Sequence, residues 1–472
     1  MAEEDAQEFS SLLKSNKGDK FLLLFTLLKE GNLQDKEIEN KLDANPGSYY
    51  TLKSRLLEKV QNYLADKVPL LENTEIVKNL NNIPQLIYSM PRETAITLLL
   101  KMEKECAEHD RPRSMAFIYH ALKQLHIHSS KYYDFDQKYN KHLAYSVAIQ
   151  KAENILSMFV KILGEYLLSR DKKHLDLFPI YKMQMQTNAS LYPSHHLKVF
   201  ENLLNIQYAL FLPSSAATGN DRPVDDLLIE TEKIFSENSK EPPYKYLQSA
   251  IDFFWLEFYM HHGMEKKAVV FYENVSHNAV VFLRNNFIAF PSAFLDSKIA
   301  WHLISGSEEN LLEECRILSA KYAPYKEDVP GYVNYEKFRA VSFYYSGKCS
   351  DAVSVLNELF KEVSFLHLQH AEIELRLFLV ICCLLAGKHE VAEIILTNVQ
   401  RKLREMKNTE YENAAVLAKM LAFPFKLKEK IEKEKMRMLR DRFLQLNKGV
   451  AKMLDFLRMD DAFIARLLKS VK

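Results

Sequence analysis

Enzyme chemistry needs nucleophiles, acids or imidazoles at spacings that let them converge. Among the 15 histidines, His120, His126 and His128 cluster, and His195–His196 and His261–His262 are adjacent pairs. None sits in a Cys/His pattern of zinc-ligand spacing. His261 and His262 precede Gly263 at the expected end of a helix, where an imidazolium meets the negative end of the helix dipole. His367 and His370 stand at i, i+3 with no acid or cysteine beside them to complete a site. The five cysteines, Cys106, Cys315, Cys349, Cys382 and Cys383, are odd in number and do not have the spacing of a disulfide framework. Cys315 falls in an apolar column, and Cys382–Cys383 lie between Val380-Ile381 and Leu384-Leu385, as inert buried thiols do. There is no glycine-rich phosphate loop, dinucleotide fingerprint or nucleophile elbow. Carboxylates such as Glu103, Glu105 and Glu108 fit an ordinary helix surface. The expectation is a protein that is not an enzyme, with no catalytic residue, no metal and no cofactor.

The elements that carry these residues read as helices. Hydrophobic residues make up 47% of 472, with only 11 Gly and 15 Pro. Sheets consume glycine at their turns, so an all-α fold with short connections is expected. The formal net charge of +1 gives no general field for nucleic acid or an anionic membrane. No run of about 18 apolar residues exists, the length a spanning helix needs. Met1–Lys14 lacks the basic and apolar regions of a secretory signal. A reducing, cytoplasmic setting follows from the cysteine usage.

Four regions are expected: an N-terminal helical unit over 1–68, irregular helical hairpins over 69–212, regular repeats over 213–422, and a helical cap over 423–472. In the first, the apolar run Phe21-Leu-Leu-Leu-Phe25 is followed by a short helix, Asp35–Leu42. Turn residues Asp43–Gly47 then lead to a long helix capped by Ser48. That order resembles a helix-turn-helix unit, with Ser48, Tyr49, Tyr50, Lys53 and Ser54 facing a DNA groove. The segment holds ten Lys or Arg against twelve Asp or Glu, which opposes phosphate neutralisation. In the second, Arg92–Cys106 and Ser114–His126 form a hairpin, and Tyr139–Ser169 forms one or two helices. The stretch 213–223 reads as a surface insertion. At the end, Phe423-Pro-Phe425 breaks the array. Lys426–Leu446 is a charged helix, and Gly449–Val471 is amphipathic.

Gly263, Gly306, Gly347 and Gly387 recur 43, 41 and 40 residues apart. Five residues after each comes Ala268, Leu311, Ala352 or Ala392. Nine after comes Tyr272, Cys315, Leu356 or Leu396. Gly219 opens a looser earlier copy. A glycine ends one helix in the left-handed conformation, and a small residue early in the next lets the two approach. Such hairpins bury their apolar faces by stacking. The segment Phe338–Leu356 resembles the tetratricopeptide-repeat family at Ala340, Phe343, Gly347, Ala352 and Leu356. Leu377–Leu396 is similar through Val380, Cys383, Gly387, Ala392 and Leu396. Trp255–Tyr272 is similar through Leu256, Tyr259, Gly263, Ala268 and Tyr272. The spacing exceeds the family's 34 residues, and Ser364 stands where its repeat ends in proline.

The resemblance implies a right-handed superhelix of antiparallel hairpins whose first helices line a concave, partner-binding face. Its groove positions fall on Phe253, Glu257 and Met260, then Asn334, Lys337, Tyr344 and Tyr345, then Glu374. Leu377, Ile381 and Leu384 fall at groove positions too and read as core. The function this implies is a scaffold or adaptor that holds a peptide or helix, with a few aromatic anchors supplying affinity. The partner-binding set is Phe253, Glu257, Asn334, Lys337, Tyr344, Tyr345 and Glu374. The alternative is a transcriptional regulator with a DNA-reading N-terminal unit and a ligand-sensing repeat array.

Overall fold

The computed structural model describes residues 3–15, 19–30, 35–67, 80–213, 222–239, 241–284, 288–406, 409–425, 431–448 and 451–469. Among these residues every regular element is a helix, as the shortage of turn-forming glycine leads one to expect. No helix among them is long and apolar enough to cross a membrane. Contacts divide the chain into two compact units, Met1–Gln85 and Leu86–Lys472.

The first unit holds α1 (Glu3–Ser15), α2 (Asp19–Glu30), α3 (Asp35–Leu42) and α4 (Pro46–Lys67). Their apolar stripes close on Phe9, Leu24, Ile38, Tyr49 and Leu56. Helix α4 starts earlier than expected. Proline is favoured in a first helical turn, and the Ser48 N–H donates to Asn45 Oδ1 at 2.8 Å. Asn45 is therefore the capping residue, not Ser48. Tyr49 is fully buried and its hydroxyl donates to Asp35 Oδ1 at 2.7 Å. Lys53 pairs with the same carboxylate at 3.0 Å. Of the five residues assigned to a DNA groove, only Ser48, Tyr50 and Ser54 are exposed. The border expected at residue 68 lies outside the described residues.

Helix α5 (Ile83–Ser89) carries the division between the units. After it come α6 (Arg92–Glu108), α7 (Pro112–Leu125), α8 (Lys131–Ser169), α9 (Lys172–Leu175), α10 (Phe178–Ala189), α11 (His195–Phe211) and α12 (Val224–Glu237). The next are α13 (Pro242–His261), α14 (Glu265–His277), α15 (Ala279–Arg284), α16 (Ala293–Ser305), α17 (Leu311–Ser319), α18 (Val329–Tyr345) and α19 (Cys349–Glu362). The last are α20 (Gln369–Leu385), α21 (His389–Met406), α22 (Glu412–Leu421), α23 (Ile431–Leu446) and α24 (Asp461–Lys469). Neighbours pack in pairs: α7 on α8, α13 on α14, α18 on α19, α20 on α21.

Gly263, Gly306, Gly347 and Gly387 have φ of 63°, 67°, 77° and 73°. A Cβ at any of them would meet nothing within 4 Å, so backbone conformation alone selects glycine there. The residues five positions on, Ala268, Leu311, Ala352 and Ala392, are each 0% exposed.

The region expected to hold one or two helices at 139–169 is a single helix, α8, of 39 residues, about 58 Å long. It packs against α10, α11, α18 and α20. At Gly164 an added Cβ would lie 2.8 Å from Phe290 and 3.2 Å from Pro330, so the small residue permits that approach. One apolar core runs from Tyr145 to Leu467, and the borders drawn at 212 and 422 fall inside it. Residues 214–221, with Gly219, and residues 426–430 lie outside the described residues. Phe423–Phe425 is a single 3-10 turn. The amphipathic C-terminal stretch is helical only over Asp461–Lys469; the residues before it, from Ala451, form no helix.

Candidate functional site

Helices α13, α16, α18 and α20 each precede a turn or connection into the next helix, and their polar side chains join into one face. Ser297 Oγ on α16 donates to Glu257 Oε1 on α13. Lys337 Nζ on α18 pairs with Asp296 Oδ1 on α16 at 2.7 Å. Asn334 Nδ2 donates to Ser292 Oγ at 3.4 Å. The rings of Tyr344 on α18 and Phe378 on α20 stand 5.7 Å apart. Charged groups this deep are costly unless paired. Burial pushes the carboxyls of Glu257 and Glu374 up to about 7, and raises that of Asp296. Burial also opposes the charge of Lys337, but Asp296 and Glu374 outweigh it and raise its pKa. Asp296 keeps 44% of its side chain accessible.

The chain itself lies across this face. Asn447 fastens the start of the segment: its Nδ2 donates to Met453 O and its Oδ1 accepts from Met453 N, both at 2.8 Å. Asn413 Nδ2 donates to Ala451 O at 2.8 Å. Leu454 takes a left-handed backbone at φ 51°, and its N–H donates to Glu374 Oε1 at 2.8 Å. The Tyr345 hydroxyl donates to Phe456 O and accepts from Arg458 N, both at 3.0 Å. Main-chain groups of alternate residues, Leu454, Phe456 and Arg458, are thus taken up by side chains of the helices beneath. The Phe456 ring meets Phe378 edge-on at 5.2 Å, and Lys337 Nζ lies 5.8 Å from its centre. Arg458 donates to Leu303 O at 2.7 Å, and Arg466 on α24 donates to the Tyr344 hydroxyl at 3.0 Å. Asp460 Oδ1 accepts from Phe463 N at 2.8 Å and starts α24.

The expected partner-binding residues are therefore placed as follows. Lys337, Tyr344, Tyr345 and Glu374 come together beneath residues 454–466. Glu257 and Asn334 join the same face through α16. Phe253 does not: it is 0% exposed and packs among Phe211, Phe282 and Phe294, because α13 turns that position into the core. None of the six others offers a free surface; Tyr345 is half-buried and the rest are buried. Leu377, Ile381 and Leu384 are core, each 0% exposed. Two parts of the face went unread in the sequence. Asp296 stands ten residues before Gly306, the offset of Lys337 from Gly347, so the register held that signal. The covering segment 451–460 has no periodicity that announces where it docks.

A second polar group lies between α14, α16 and α17. Lys298 pairs with Glu314, His302 Nε2 lies 3.0 Å from Glu314 Oε1, and the Tyr272 hydroxyl donates to Glu314 Oε2 at 2.9 Å. Burial works against the charge of Glu314, yet His302 and Lys298 hold its pKa at about 2. His261, expected to favour the charged form at a helix end, has its pKa lowered by burial. Cys315, Cys382 and Cys383 are buried free thiols, raised by that burial. No family model, curated protein or solved structure matches the chain.

Proposed function

We propose that the protein is a non-catalytic scaffold or adaptor whose inner helical face binds a peptide segment leading into a helix. In this reading the paired helices after residue 213 form a tetratricopeptide-like solenoid, and α13, α16, α18 and α20 are its inner helices. The four left-handed glycines with buried small or apolar residues five positions on support that reading. The observation that carries it is the seating of residues 451–469 on the face. The segment turns at residues 454–457, where the Leu457 N–H donates to Leu454 O at 3.0 Å; affinity for such a segment comes from main-chain hydrogen bonds, and selectivity from pockets for particular side chains. Glu374 and Tyr345 supply the first to alternate residues, and Phe378 with Lys337 supplies a place for an aromatic ring. The resident segment marks the chemistry a partner would share: an aromatic residue, a basic residue two positions on, and an amphipathic helix.

The test uses full-length protein carrying Phe456→Ala and Arg458→Ala to loosen the resident segment, and a fluorescent peptide of the natural 451–469 sequence. Stoichiometric binding to the loosened protein, at least tenfold weaker binding to the natural one, and no binding of a Phe456→Ala peptide are expected. If amide exchange shows the segment released and the natural peptide still does not bind, the face is not a peptide site.

A further inference from the structure

We propose that Asp110, His195 and His196 form a zinc site with two imidazole ligands, one carboxylate and an open fourth position. One candidate ligand atom from each residue lies within 4.8 Å of the others. The sequence could not pair them, because Asp110 sits in the turn between α6 and α7 while the histidines open α11.

Three features build the arrangement. Consecutive residues of a helix point about 100° apart, yet the rings of His195 and His196 have centres only 4.0 Å apart. The Tyr244 hydroxyl holds them there, 2.5 Å from His195 Nδ1 and 3.3 Å from His196 Nδ1. Asp110 has φ of 42°, a left-handed conformation in a non-glycine residue. Its carboxylate is aimed by the Tyr145 hydroxyl, 2.6 Å from both oxygens, and by Ser194 Oγ at 3.0 Å from Oδ2. Such outer partners fix the orientation of metal ligands.

The third feature is an unmet need. His195 Nε2 is closed to solvent and has no hydrogen-bond partner. It lies 3.8 Å from Asp110 Oδ2, too far for a hydrogen bond. Zinc lies about 2.0–2.1 Å from nitrogen and about 2.0–2.2 Å from oxygen, so a bent N–Zn–O arrangement spans such a gap. A further acid lies close by. Glu241 is 8% exposed with Oε1 lacking a hydrogen bond, and Arg111 is 4.0 Å from it. Asp110 and Glu241 against Arg111 leave one negative charge for an incoming cation to offset.

Binding moves no net proton. The Tyr244 hydroxyl has one hydrogen, so in the metal-free network it donates to one Nδ1 and accepts from the other. With His195 Nε2 bound to zinc, its Nδ1 carries the hydrogen and the tyrosine oxygen accepts from it.

The test takes the full chain, strips it with a chelator, and titrates zinc by calorimetry and cobalt(II) by visible absorption. One equivalent of zinc and the intense d–d bands of four-coordinate cobalt are expected. His195→Gln and Asp110→Asn should each weaken binding at least a hundredfold, and Tyr244→Phe about tenfold to a hundredfold, with circular dichroism reporting folding. No zinc uptake by the natural protein overturns the proposal. So does unchanged affinity in folded His195→Gln or folded Asp110→Asn protein. If one variant fails to fold, the other and the natural protein's cobalt spectrum still decide.

Discussion

Phe456→Ala tests whether residues 451–469 are a separable occupant of the helical face. Phe456 is 5% exposed and meets Phe378 edge-on at 5.2 Å. Truncating a buried phenylalanine costs about 3–5 kcal/mol, of which the aromatic pair accounts for about 0.5–1.5 kcal/mol. The main-chain bonds through Tyr345 survive, so the loss falls on docking of the segment alone. At about 1.4 kcal/mol per tenfold change, opening of the segment should rise by roughly two to three and a half orders of magnitude. Native-state hydrogen exchange read by mass spectrometry measures this directly: amides in 451–469 should lose protection while those of α18 and α20 keep theirs. Tyr345→Phe removes one donor and one acceptor and should raise opening less, by about 1–3 kcal/mol. Equal loss of protection in the segment and in α18 and α20 would refute the reasoning. Segment and face would then unfold as one body, and the segment would be core rather than ligand.

Three further outcomes are expected. Glu374 is held at about 7 by burial against an ordinary 4.5, so its ionisation opposes the docked state as pH rises from 4.5 through 7. Between pH 6.5 and 8 this weakens docking by about 0.8 kcal/mol, or fourfold, if release restores the ordinary value. Corrected exchange rates in 451–469 should rise accordingly and Glu374→Gln should flatten the rise; below pH 6.5, His370, lowered well below its usual value by burial, acts in the opposite direction. Gly347→Ala, at φ 77° with open space around it, should cost about 1–2 kcal/mol in urea denaturation, and Gly347→Asn less. Lys298→Met leaves half-buried Glu314 with His302 and Tyr272 but without its lysine and should cost about 1–3 kcal/mol. The pKa of Glu314, about 2 in the natural protein, gives stability that is present above pH 4.5 and lost toward pH 2. In Lys298→Met the carboxyl is less depressed, so the loss below pH 4.5 should be smaller and complete at higher pH, as acid titration of the melting temperature would reveal.

Local features were the legible ones. The glycine register was readable because a left-handed residue with open space around it has one cheap solution, and all four positions use it. Helix α8 was under-read because its two apolar stretches face different partners along its length, which hides a single 39-residue helix behind a weak average pattern. Tyr49 and Lys53 show what a local pattern leaves out. Their types fit a recognition helix, but α3 places Asp35 where both are consumed, and no local rule gives that distance. The face itself was half legible. Lys337, Glu374 and Tyr345 follow from offsets to the glycines, whereas Phe253 shares the offset of Lys337 and points into the core.

What sequence could not supply was the reason for burying charge there. Four ionisable residues on neighbouring helices, Glu257, Asp296, Lys337 and Glu374, would be an expensive way to fill a permanent core, because apolar residues of similar volume are often more stable. Alternate main-chain groups crossing a helical face, by contrast, need polar partners, and Glu374 and Tyr345 provide them at 2.8 and 3.0 Å. The polar face and the irregular segment above it are two halves of one requirement. A segment without helix can be held only where the surface beneath satisfies its backbone, and in the proposed reading a face built that way offers the same donors and acceptors to a partner segment that displaces the first.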